Sequence, residues 1–93
     1  MGLDIGIMSI RYLERPEGRA YAFAWKLAEE AGANGYMHGD GNSWGAFTKE
    51  GVQEMLEEFT GARGLSAQEL AEISTWVESL PWNDDLIELH FNW

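Results

Sequence analysis

Residues 86–93 alternate without a break: Ile87, Leu89, Phe91 and Trp93 fall on one side, and Leu86, Glu88, His90 and Asn92 on the other. Period-two alternation of this kind predicts a β-strand with one buried face. A strand leaves a row of N–H and C=O groups open unless another strand lies beside it. The rest of the chain must therefore supply a sheet. Residues 3–13, Leu-Asp-Ile-Gly-Ile-Met-Ser-Ile-Arg-Tyr-Leu, are rich in β-branched and aromatic side chains and read as one partner. Leu3, Ile5 and Ile7 share one face and Met8, Ile10 and Tyr12 the other, so an inner strand is expected. Arg15-Pro16-Glu17-Gly18 ends it as a turn.

Between these two stretches the period changes to that of a helix. Ala20, Phe23, Ala24, Leu27 and Ala31 recur at helical spacing, which predicts a helix over 19–31 with Gly32 as its stop. Residues 32–47 are glycine-rich. Within them Tyr36-Met37-His38 and Trp44-Gly45-Ala46-Phe47 read as arms of a hairpin around Gly39-Asp40-Gly41-Asn42, since Asp-Gly favours tight turns. Thr48 is a good N-cap for a helix over 49–60, with Val52, Met55, Leu56 and Phe59 inward and Gly61 to Gly64 as its end. Ser66-Ala67-Gln68-Glu69 has the form of a capping box, opening a helix over 67–80. Leu70, Ile73, Trp76, Val77 and Leu80 form its apolar face, and Pro81 stops it. The expected fold is α+β: one domain over residues 1–93, with a small sheet containing the N- and C-terminal strands packed against about three helices.

Composition narrows the function classes. With 45% hydrophobic and 13% aromatic residues, the chain is too apolar to be a disordered acidic tail. Cysteine is absent, which excludes a disulfide framework, a thiolate nucleophile and a cysteine-based zinc site. No apolar run has the length of a membrane span and no secretory signal is present, so the expected location is cytoplasmic. Gly6 stands where a myristoylation signal needs Ser or Thr.

Charge is distributed unevenly. Residues 1–49 carry six acids against five bases, while residues 50–93 carry ten acids against Arg63 alone. Such a field repels nucleic acid and anionic membranes and attracts basic protein surfaces. Glu50, Glu54, Glu57 and Glu58 share the polar face of the second helix within an arc of roughly 100°. Like charges at this spacing repel by about 0.2–0.5 kcal/mol per pair, and Lys49 is the only base nearby. A solvated helix face is the plain reading. A docking surface for Lys and Arg, or a row of charges imitating nucleic-acid phosphates, is the functional one. Glu78, Asp84 and Asp85 extend it if they fall on the same side, and Trp82, between Pro81 and those acids, is the expected aromatic anchor.

Other constellations are thinner. His38, Asp40 and Asn42 bring an imidazole, a carboxylate and an amide within five residues, but at no recognised zinc or calcium spacing. His90 could meet His38 or Glu88, the minimum for acid–base chemistry, though a polar-face histidine is ordinarily surface. No nucleophile elbow, phosphate-binding loop or HExxH helix occurs, so neither a metal, a cofactor nor an enzymatic activity is expected.

The sequence therefore predicts a small, acidic, non-enzymatic binding protein that occupies a basic surface of a protein partner, nucleases and nucleic-acid-binding complexes among them. In size and charge it resembles small acidic phage inhibitors of restriction or CRISPR nucleases, and immunity proteins that plug toxin nucleases; the likeness is one of analogy. Two alternatives stand beside it: an oligomeric or housekeeping module kept soluble by its acids, and a small ligand or metal binder built on the 36–47 loop.

Overall fold

The computed structural model describes residues 2–7, 9–34, 36–38 and 41–93, with side chains described outside 33–40. Among these residues the elements follow in the order α1 (Gly18–Asn34), β1 (Tyr36–His38), β2 (Asn42–Thr48), α2 (Lys49–Arg63), α3 (Ala67–Ser79) and β3 (Leu86–Asn92). The three strands form an antiparallel sheet in the order β1-β2-β3, so the protein is a small α+β fold. The two hairpin arms pair, Tyr36 with Trp44 and His38 with Asn42, so Asn42 belongs to β2 and not to the expected turn, of which Gly39 and Asp40 lie outside the described residues. β2 continues as the central strand and pairs along its whole length with β3, from Asn42↔Asn92 to Thr48↔Leu86.

Among its described residues, with Met8 outside them, the strand expected over 3–13 does not form. The described residues of 2–17 carry no helix or strand, and Leu3, Ile5 and Ile7 are 85%, 86% and 97% exposed. High β-propensity is not enough: the outer edge of β3 stays open, yet none of the described residues of 3–13 pairs with it. Of the two terminal strands expected in the sheet, only the C-terminal one, β3, is built into it.

The helices follow their patterns closely. In α1 the inward residues Ala20, Phe23, Leu27, Ala28 and Ala31 are buried, and Phe23 meets Phe59 of α2 edge-on at 5.3 Å between ring centroids. Gly32 does not stop α1, which runs on to Asn34. Its last turns are held by packing. Gly45 of β2 lies so close to Ala31 that an added Cβ would stand 2.9 Å from the Ala31 Cβ, and the buried Ser43 hydroxyl donates to the Ala28 carbonyl at 3.1 Å. A glycine inside a helix costs about 1 kcal/mol relative to alanine, which this contact outweighs.

Both predicted caps are present. The Thr48 hydroxyl accepts from Gly51 N–H at 3.0 Å, and Gly64, at φ 60°, closes α2 in the left-handed conformation. Ser66 and Glu69 exchange both bonds of the capping box, and α3 ends at Ser79 before Pro81. Val52, Leu56 and Phe59 of α2, Ile73 and Val77 of α3, Leu80, Phe47 and Ile87 complete one apolar cluster beneath the sheet. Along β3 burial fades: Ile87 is buried, Leu89 and Phe91 are half-buried, and Trp93 is half exposed. Ile87 sits in the core cluster, whereas Leu89 and Phe91 are only partly buried against it.

Candidate functional site

The acidic residues singled out from the sequence are placed by two local devices. The first is the tight turn between α3 and β3. Asn83 and Leu86 exchange backbone hydrogen bonds of 2.8 and 3.0 Å, which lifts Asp84 and Asp85 to the tip, with Asp84 at φ 55°. The second is the head of α2, where Lys49 N–H donates to the Asp85 carbonyl at 2.9 Å. That bond docks the acidic tip on the helix N-terminus, beside Glu50 in the first turn. A helix N-terminus favours negative charge, and this backbone bond brings the Asp84–Asp85 turn to the helix end where Glu50 lies.

Trp82 ties α3 to the same corner. Its indole Nε1–H donates to the Val77 carbonyl at 2.9 Å, and the Lys49 ammonium lies 5.8 Å from its ring centroid. Glu78 is exposed in the last turn of α3, next to that carbonyl-bearing Val77. Trp82 is thus half-buried against the core with its polar atom already bonded, rather than a free-standing exposed anchor.

The remaining acids extend along α2. Glu54 and Glu57 are exposed on the side away from Val52, Leu56 and Phe59. Glu58 departs from this row: it lines a small depression of about 260 Å3 with Lys26 and Arg63. Among the described residues, none of Glu50, Glu54, Glu57, Glu58, Glu78, Asp84 or Asp85 makes an ion pair.

By contrast, Glu69 is fully engaged. It accepts from the Ser66 amide at 3.0 Å and from Arg19 Nε at 2.6 Å. The Ser66 backbone bond first, and then the Arg19 guanidinium and the Ser66 hydroxyl, hold its carboxyl below the usual glutamate value of 4.5. This pair clamps the start of α1 to the start of α3.

Of the thinner constellations, Asp40 and the His38 side chain lie outside the described residues. Among the described residues His90 makes no hydrogen bond with Glu88. It is half-buried on the outer face of the sheet, with Tyr12 Oη 3.3 Å from its Nδ1 and the Trp44 ring edge-on at 5.4 Å. Among the described residues no group of three or more His, Asp or Glu is placed to hold a metal ion.

Tyr12 and His90 mark a feature that sequence reasoning missed. Residues 9–16 run beside β3 and enclose a cleft of about 1010 Å3. Its other walls include β3, the α1 side chains Ala24, Trp25 and Ala28, Trp44 and Leu80. Every large apolar side chain exposed among the described residues lies either on residues 3–13 or on this cleft. The signal was present in the apolar content of both faces of 3–13, which pointed to a burial that this chain does not provide for itself.

No protein-family model matches the chain, and neither a characterised protein nor a solved structure is significantly similar to it. No described helix is long and apolar enough to cross a membrane.

Proposed function

We propose that the protein is a non-enzymatic binding protein that docks its acidic corner on a Lys- and Arg-rich surface of a protein partner, with nucleic-acid-binding surfaces as the preferred class. One observation carries this reading: Glu50, Asp84 and Asp85 gather at the head of α2, Glu54 and Glu57 continue along that helix, and all are exposed and unpaired. Unpaired like charges on one helix repel one another, and a basic partner relieves that repulsion on binding. The same field steers a basic partner toward the corner and accelerates encounter. Glu78 and Trp82 border the surface; Glu58 lies off it.

A second reading, an oligomeric module whose acids serve solubility, draws support from the exposed apolar residues of 3–7. The double substitution Glu54→Lys, Glu57→Lys separates the two. Both residues lie opposite the buried face of α2, so folding should be retained. With the partner captured from the producing cells and purified, the wild-type association rate should fall steeply with added salt. The variant should associate roughly ten-fold more slowly at low salt. Equal rates for the two proteins would remove the acidic corner from the interface.

A further inference from the structure

We propose that the chain forms a two-fold dimer in which residues 3–7 of each copy enter the cleft of the other and pair with the open edge of β3. The edge itself is the first ground. Trp93 N–H donates to Gly41 on the β2 side, and alternate residues of an antiparallel strand point to opposite sides. Glu88, His90 and Asn92 therefore direct their N–H and C=O groups away from β2, and no backbone partner meets them among the described residues. A row of this kind is a template for an added strand.

The second ground is the fit of the arm. Glu88 to Asn92 and Leu3 to Ile7 are both five residues, about 17 Å when extended. In a strand Leu3, Ile5 and Ile7 point one way, toward the Ala24, Trp25, Ala28 and Leu80 floor of the cleft. Asp4 and Gly6 then point the other way, where Gly6 leaves room beside Tyr12 and His90. The arm is also neutral apart from Asp4, so it can approach a chain of net charge −10 with little repulsion.

The third ground fixes the occupant as a second copy. The chain's own residues 9–16 already form a wall of the cleft, with Tyr12 against His90, while its residues 3–7 are left exposed. The longest axis, 54 Å, exceeds the next, 31 Å, by roughly the reach of seven extended residues. The chain exposes 6892 Å2, where a folded monomer of 10.5 kDa exposes about 5,400 Å2. The excess is larger than the ~800 Å2 per partner that a stable dimer buries. Reciprocal exchange closes after two copies, since each supplies one arm and one edge.

Sedimentation equilibrium over a range of concentrations, with amide hydrogen exchange on the same samples, tests the proposal. Three full-length proteins are compared: the wild type, Ile5→Asp with Ile7→Asp, and Glu88→Pro. The first variant alters only side chains exposed in the single chain, and the second removes an amide that faces away from β2, where proline is tolerated. Circular dichroism confirms that both remain folded. The wild type should be dimeric, with the Glu88, His90 and Asn92 amides protected as dimer forms. Both variants should dissociate at least about 100-fold more readily. A monomeric wild type, whether those amides are open or are protected by its own arm, overturns the proposal, as does a dimer that persists in both variants. The Glu54→Lys, Glu57→Lys protein should dimerise normally, so this result stands apart from the acidic-corner reading.

Discussion

Gly45 and Asp84 show how much of this fold rests on single backbone positions. At Gly45, α1 crosses β2 with no room for a side chain, since a Cβ there would stand 2.9 Å from the Ala31 Cβ and 3.2 Å from its Cα. Both atoms belong to a helix held by its own ladder, so relief requires α1 to move away from the sheet. Gly45→Ala should therefore destabilise the protein by about 1–3 kcal/mol despite the better strand propensity of alanine. Denaturant midpoints of the two proteins measure this, and equal midpoints would mean that α1 is free to shift. Asp84 presents the opposite case. Its φ of 55° is a left-handed conformation that a β-carbon disfavours. Asp84→Gly should raise stability by roughly 0.5–1 kcal/mol, the relief of strain outweighing the added freedom of the unfolded chain. A loss of stability would show that the Asp84 carboxylate contributes more to the turn than its backbone costs.

Among the elements, α3 is the one whose start is most completely specified. The capping box satisfies its first amides, and Arg19 reaches Glu69 from the head of α1. Ser66→Ala removes one side of the box and should cost about 1 kcal/mol. The effect has a pH signature. The folded-state carboxyl of Glu69 titrates below the 4.5 of a free glutamate, so its contribution is present above that value and is lost as pH falls through the lower folded one. A carboxyl titration followed by NMR should place the Glu69 midpoint below 4.5 in the wild type and nearer to it in Ser66→Ala. A wild-type midpoint at or above 4.5 would mean that the box and the Arg19 contact are not kept in solution. β3 lies at the other extreme. Its alternating pattern predicts one continuous buried face, yet burial runs out from Ile87, in the core cluster, toward the half-exposed Trp93.

At the scale of the whole molecule, charge and shape separate. With six bases against sixteen acids, the protein is expected not to hold nucleic acid itself, since phosphate contacts dominate such affinity. A fluorescence titration with DNA or RNA at low salt should show no binding in the micromolar range, and a saturable signal there would invalidate the acidic-corner reading. Shape tells a different story. The Cα radius of gyration, 14.7 Å, exceeds the ~12 Å of a compact chain of this length, consistent with an arm standing clear of the body.

Local pattern was sufficient wherever the controlling contacts are near in sequence. Thr48, Ser66 and Glu69 bond to neighbours three residues away, and the hairpin arms 36–38 and 44–47 lie only a few residues apart in the sequence. Their geometry is written in consecutive residues, and so are the inward faces of α1, α2 and α3. The candidate site was legible only in part. The sequence named its acids and the helix that carries most of them, but the Asp85–Lys49 backbone bond that joins the turn to α2 spans 36 residues. The Trp82 indole is a different case: Val77 is only five residues away, but the bond is made past the end of α3, where no periodic rule assigns it. Residues 3–13 mark the clearest limit. Their side chains specify a strand, but pairing is a property of two segments, and the edge available to them, on β3, lies at the other end of the chain. Which strand becomes central, which edge stays open and which apolar residues stay exposed are settled by tertiary competition for a single sheet, where propensity counts for less than position.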